Sequence, residues 1–157
     1  MGGDNLTPMA EEKERSTERL TSDLLKRLLE RNNLDEYLKE DNVIERDLPE
    51  YLHELRAKRG LNRNAVARSA GMNATYVYDI FSGKSKPGRD HAIALSLGLN
   101  CDLTETQRLL RLAGVAELWS KQRRDVIIIW CVNNGYDRVA VDNELTRFGE
   151  RPLLDEA

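Results

Sequence analysis

Residue types able to do covalent or metal chemistry are sparse and poorly spaced for it. His53 and His91 fall in helical stretches with no nucleophile at a motif spacing, and the chain carries no Gly-rich phosphate loop, His-Glu-x-x-His or Gly-x-Ser-x-Gly. Both histidines are read as cap or surface residues. Cys101 and Cys131 lie outside any Cys-x-x-Cys and have no histidine at ligand spacing. They are expected as buried small apolar residues in a reducing cytoplasm. The paired acids Glu11-Glu12 and Asp35-Glu36 sit in solvated segments, where they act as solubilising charge. The expectation is therefore no catalytic residue, no metal ligand, no cofactor and no enzyme activity.

Positive charge is what the sequence concentrates. The overall net charge is −3, yet residues 1–50 sum to −6, residues 51–90 to +5 and residues 91–157 to −2. The basic island comprises Arg56, Lys58, Arg59, Arg63, Arg68, Lys84, Lys86 and Arg89. Clustered Lys and Arg neutralise phosphates and release their counterions, so four such contacts predict a log affinity that falls with log salt at a slope of about −4.

The elements that must position these cations are legible from their punctuation. Leu48, Leu52 and Leu55 form one helical stripe that Gly60 ends. A second helix, Arg63–Ser69, stops at Gly71. Asn73 caps a third, Ala74–Ser82, which stops at Gly83. Pro87-Gly88 makes a turn, Asp90 is expected to cap a fourth helix, His91–Leu97, before Gly98, and Thr104 is expected to open a fifth, Glu105–Ala113, ended by Gly114.

The segment Arg63–Gly83 carries the spacing that two nearly perpendicular helices require. Ala67 is small enough to let them cross, Gly71 tolerates the positive φ of a tight turn, and Val77 and Ile80 face Val66 and Ala67. The stretch Leu48–Gly114 resembles the lambda-repressor/Cro-like (xenobiotic-response-element-type) helix-turn-helix regulators, whose pattern is Ala, Gly, a capping polar residue, branched apolar residues and Gly. That resemblance implies that Ala74–Ser82 enters the DNA major groove. It makes Asn73, Ala74, Thr75 and Tyr78 candidates for base or groove contact, and Arg63, Arg68, Lys84, Lys86 and Arg89 candidates for phosphate contact. Three positions depart from the family: Arg63 stands where Gln is usual, Asp79 where a base is frequent, and Phe81 where Glu is common. Phe81 suggests extra packing, for instance against the N-terminal segment.

Outside this region, residues 1–20 are too polar to offset the entropy of ordering and read as a mobile tail. Thr21 is placed to cap a helix Ser22–Arg31 with Leu24, Leu25, Leu28 and Leu29 on one face, followed by a short piece Leu34–Leu38. Toward the C-terminus, Arg89–Gly114 and Arg124–Gly149 align at an offset of 35 with Arg89/Arg124, Asp90/Asp125, Ile93/Ile128, Asp102/Asp137, Leu110/Leu145 and Gly114/Gly149 identical. Such a period is that of a stacked helical hairpin, with chance similarity between two helix pairs as the alternative. Val126–Val132 has no polar face, which leaves burial between hairpins or a homodimer seam. It is too short to span a membrane, and no secretory leader is expected.

The fold expected is all-α: a five-helix lambda-repressor-like DNA-binding domain (48–114), extended by a C-terminal hairpin packed on it (115–157) and by an acidic helical N-terminal segment (21–47) behind the tail (1–20). The function expected is a DNA-binding transcriptional regulator acting on double-stranded DNA as a dimer, cytoplasmic and nucleoid-associated, from a bacterium or phage. A protein partner at the N-terminal segment or the hairpin is a further expectation. The alternative is a helix-turn-helix-fold adaptor for protein interaction without specific DNA binding. A ligand-sensing regulator ranks third, because no pocket signature is visible.

Overall fold

The computed structural model describes residues 22–30, 34–39 and 46–155, and the chain divides into two compact units, Met1–Glu45 and Arg46–Ala157. The expected tail 1–20 lies outside the described residues. In the first unit a helix over 22–30 and a helix Leu34–Lys39 follow the leucine spacing. Tyr37 is buried, and its hydroxyl donates to the Leu24 carbonyl at 3.3 Å. Leu25, Leu29, Leu34 and Leu38 are exposed.

Every regular element described in the second unit is a helix: α1 (Leu48–Lys58), α2 (Arg63–Ala70), α3 (Ala74–Ser82), α4 (Arg89–Gly98), α5 (Leu103–Leu112), α6 (Arg123–Asn133) and α7 (Arg138–Arg147). No helix among the described residues is long and apolar enough to cross a membrane. Six of the seven begin alike: the side chains of Asp47, Asn62, Asn73, Asp102, Gln122 and Asp137 each accept the N–H three residues on, satisfying a donor the helix itself leaves unpaired.

Helix α4 is the exception and corrects the sequence reading. Its N-cap is Gly88, with no side-chain bond, and Asp90 lies inside the first turn, where its carboxylate takes Arg124 and Arg151 instead of capping. Gly98, expected beyond the helix, is its last residue; Asn100 with φ 56° makes the left-handed turn. Glycine is required at 98 for closeness, since a Cβ there would stand 2.8 Å from the Ala70 Cβ and the Val66 carbonyl oxygen of α2. Helix α5 opens at Leu103, with Asp102 rather than Thr104 as cap; Asp102 and Glu105 form a capping box.

One apolar core runs through the second unit, from Leu52 and Leu55 of α1, through Val66, Val77, Ile80, Ile93 and Leu109, to Ile128, Val141, Leu145 and Leu153. Phe81 packs within this unit, edge-on to His53 of α1 at 5.1 Å between ring centroids, while the His53 Nε2 lies 3.2 Å from the Phe81 carbonyl oxygen. Its extra packing is therefore supplied by α1.

The offset of 35 is structural. α4–α5 and α6–α7 end at matching positions, Asp102 and Asp137 cap equivalent helices, and Gly114 and Gly149 both have φ 74°. Correspondence continues past the aligned stretch: Gln107 accepts the Leu118 N–H at 2.8 Å, and Asp142, 35 residues on, accepts the Leu153 N–H at 2.6 Å. The hairpins are not stacked head to tail, however. Arg89 pairs with Asp125 at 2.7 Å and Arg124 pairs with Asp90 at 2.8 Å, so each Arg-Asp dipeptide grips the other. Arg89 also takes the carbonyls of Ala116 and Glu117, and Arg124 those of Arg151 and Pro152, the same positions shifted by 35. The first helix of each hairpin meets the second helix of the other. Reciprocal contacts of this kind are the mark of an approximate two-fold axis, whereas a solenoid repeats one contact in one direction.

Candidate nucleic-acid interface

The interface is built on α2 and α3. Ala67 and Ala70 are buried where α2 meets its neighbours, and Val77 and Ile80 are fully buried on the inner side of α3. Gly71 has φ 70°, the left-handed turn for which the sequence required glycine. Though exposed, it is approached on its Cα side: a Cβ at 71 would fall 2.6 Å from Nε of Arg138, whose guanidinium donates to Asp142 at 2.9 Å. The C-terminal hairpin thus braces the turn that sets the angle between α2 and α3.

On the outer side, Asn73, Ala74 and Thr75 are exposed in the first turn of α3 and Tyr78 is half-buried. Asn73 uses its amide oxygen to cap the Tyr76 N–H at 3.2 Å, so its amide nitrogen keeps two donors for an outside acceptor. Tyr78 bridges the two helices: its hydroxyl donates to Oδ1 of Asn64 at 2.5 Å, and the Arg63 guanidinium lies 4.4 Å from its ring centroid. Asn64 escaped the sequence reading. Its signal was its place beside Arg63 in the exposed first turn of α2.

Of the five cations expected to meet phosphate, Arg63, Arg68, Lys84 and Lys86 are exposed and have no acidic partner among the described residues. Arg89 is different. Four hydrogen bonds hold its guanidinium, two to Asp125 and two to the Ala116 and Glu117 carbonyls, so its charge is matched and its donors are committed. The carboxylate that neutralises it comes from α6, 36 residues away in sequence. Arg56 and Arg59 of the basic island are engaged too, Arg56 with His53 and the Leu61 carbonyl, Arg59 with Glu105. The Asp79 carboxylate has no basic partner among the described residues, while its carbonyl holds Ser82 and Ser85.

Burial pushes the Cys131 thiol up to about 11 and the Cys101 thiol higher still, which keeps both protonated and unreactive at neutral pH. No cluster of three or more His, Cys, Asp or Glu able to hold a metal occurs among the described residues. An open cleft of about 1040 Å³ borders Asn73, lined among others by Tyr76, His91, Arg124, Arg151 and Leu154. Arg124 and Arg151 there are both occupied by Asp90.

Residues 52–105 match the family model described as helix-turn-helix. No curated protein and no solved structure matches the chain. The match starts in α1 and ends in the first turn of α5, so it contains the motif and stops before the C-terminal hairpin.

Proposed function

We propose, from the premise that residues 52–105 are a helix-turn-helix of the lambda-repressor/Cro-like kind, that this protein is a DNA-binding regulator that lays α3 in the major groove of double-stranded DNA and does so as a dimer. One observation supports the reading: the exposed first turn of α3, with Asn73, Ala74 and Thr75, is accompanied by four exposed cations with no acidic partner among the described residues, Arg63 and Arg68 on α2 and Lys84 and Lys86 after α3. The cations fix the frame on the backbone, and Asn73, with Tyr78 held by Asn64, reads the base edges. In this reading residues 48–114 are the DNA-binding domain, residues 115–157 are the part that brings two copies together, and the protein works at the nucleoid in the cytoplasm.

Titrating labelled duplex across a salt series tests this. Four phosphate contacts per protomer give a slope of about −4, and Lys84→Ala or Arg63→Ala reduces it by about 0.9 for every sequence alike. Tyr78→Ala instead changes which sequence is preferred. A second reading, a helix-turn-helix fold used as a protein adaptor, is favoured by the uncompensated Asp79 carboxylate beside Tyr78. Absence of salt-dependent binding to any duplex at low ionic strength decides for the adaptor.

A further inference from the structure

Helix α6 repeats α4 and lacks the cover that α4 has. On α4 the stripe His91, Ala94, Leu95, Gly98 runs at the i, i+3, i+4, i+7 spacing of one helical face, and Ala94, Leu95 and Gly98 are buried, with Gly98 closed on Val66 and Ala70 of α2. The equivalent stripe on α6 is Val126, Ile129, Trp130, Asn133. There Val126 is 44% exposed and Trp130 53% exposed, and Val139 on α7 adds a further apolar surface at 52%. Trp130 is backed by Tyr136, edge-on at 5.4 Å between centroids. The sequence reading left burial between hairpins or a homodimer seam for Val126–Val132; among the described residues of this unit its inner side is buried through Ile128, Cys131 and Val132, while Val126 and Trp130 are exposed.

We infer that this bare stripe is the seat of a second copy of the same chain, α6 against α6 about a true two-fold axis. The inference rests on the dimeric reading above and names its surface. Two observations choose the occupant. All exposed large hydrophobics described in the second unit, Trp119, Val126, Trp130, Val139 and Phe148, lie between residues 119 and 148, so the apolar surface that another copy of this unit can offer the stripe comes from this same stretch, with Val126 and Trp130 of the stripe among it. A patch that pairs with its own copy makes an isologous contact, which closes as a dimer. In addition, residues 126–136 carry no charge at all in a chain that is 32% charged, so two copies meet there without like-charge repulsion or buried unpaired ions. Larger residues than those of α4, Ile129 for Ala94, Trp130 for Leu95 and Asn133 for Gly98, suit an interface between separate bodies, where a buried aromatic anchors the centre.

Light scattering and sedimentation of the full-length protein should give a dimer, and Trp130→Glu a monomer with an unchanged circular-dichroism melt. Asn133→Cys treated with a short bismaleimide should yield a covalent dimer, since Cys101 and Cys131 are buried. The double change Leu25→Glu, Leu29→Glu should leave the dimer intact. A monomeric wild type, a dimeric Trp130→Glu protein, an uncrosslinked Asn133→Cys protein, or a dimer lost through the leucine variants would each overturn the inference. On DNA, Trp130→Glu should keep binding to a single half-site and lose about 100-fold for a paired site, the gain a tethered second contact brings. A wild-type dimer that binds no duplex leaves the seam standing and removes the DNA-binding reading alone.

Discussion

The hairpin α4–α5 buries the whole of its first helix from Ala92 to Gly98, whereas α6, built to the same plan 35 residues later, leaves Val126, Trp130 and Asn133 in solvent. The helix C-termini, the caps and lengths of α5 and α7, and the left-handed turns at Asn100/Gly135 and Gly114/Gly149 correspond position by position, while α4 and α6 begin differently. What separates the two is side-chain size on one stripe. Where α4 has Gly98, α2 closes in to touching distance; the equivalent residue of α6 is the larger Asn133, which is exposed. The backbone plan of a hairpin is fixed by its ends, and its partner is chosen by the bulk of the residues between them.

The largest expected effect breaks that comparison at its tightest point. Gly98→Ala places a methyl group 2.8 Å from the Ala70 Cβ and the Val66 carbonyl, so α2 and α4 must part. Overpacking of this kind costs about 3 kcal/mol, a fall in Tm of roughly 6–12 °C for a protein of this size. Asn133→Ala at the equivalent exposed position should stay within about 0.5 kcal/mol of wild type. Equal losses in thermal or urea unfolding would show that the two stripes do not differ in closeness of packing.

The sequence announced elements whose ends are made by local chemistry. Ala74–Ser82 was bounded without error because Asn73 and Gly83 each act on their immediate neighbours. It misjudged residues whose role is set from elsewhere. Gly98 looked like a stop because glycine ends helices, but its absent side chain serves α2, and Asp90 looked like a cap while Arg124 and Arg151 claim its carboxylate. Arg89 was visible as charge, and its neutralisation by Asp125 was not. The repeat was readable at its offset, yet a stack and a two-fold pair give the same spacing, and only the crossed Arg–Asp contacts tell them apart.

Those crossed contacts supply the next test. Arg124 is buried, and Arg124→Ala leaves Asp90 with Arg151 as its remaining ion-pair partner and the carbonyls of Arg151 and Pro152 without their donor. The loss expected is about 2 kcal/mol, below that of a fully buried pair because Asp90 stays a quarter exposed. Arg89→Ala should cost the same within about 1 kcal/mol if the axis is energetically real, since it breaks the corresponding bonds on the other side, two to the carboxylate where Arg124 makes one and two to the equivalent carbonyls. Chemical denaturation of both variants measures this, and a strongly unequal pair would mean that the symmetry is one of shape alone.

The smallest effect sharpens the comparison at the hairpin starts. At the third residue of α5 stands Glu105, which accepts from Lys58 at the end of α1 and from Arg59 just after it and returns to the Asp102 N–H; the equivalent residue of α7 is Ala140, so that hairpin has a cap without a box. Burial alone would raise the Glu105 carboxyl, but the hydrogen bonds from Arg59 and the Asp102 N–H and the charges of Arg59 and Lys58 outweigh it and hold the group below its ordinary 4.5. A carboxylate favoured in the folded state stabilises it at pH above 4.5, and that contribution drains away as the pH falls toward the lowered value, where the folded protein too takes up the proton. Glu105→Gln should therefore cost about 1 kcal/mol at pH 7, the size of a lost cap or charge-assisted bond at a part-exposed site. The gap to wild type should narrow below pH 4.5, because a protonated Glu and a Gln make similar bonds. Ala140→Glu has no cation from α1 to meet, so the same pH series on that variant should show no comparable step; an equal step in both hairpins would mean that capping, and not the tie to α1, sets the Glu105 contribution.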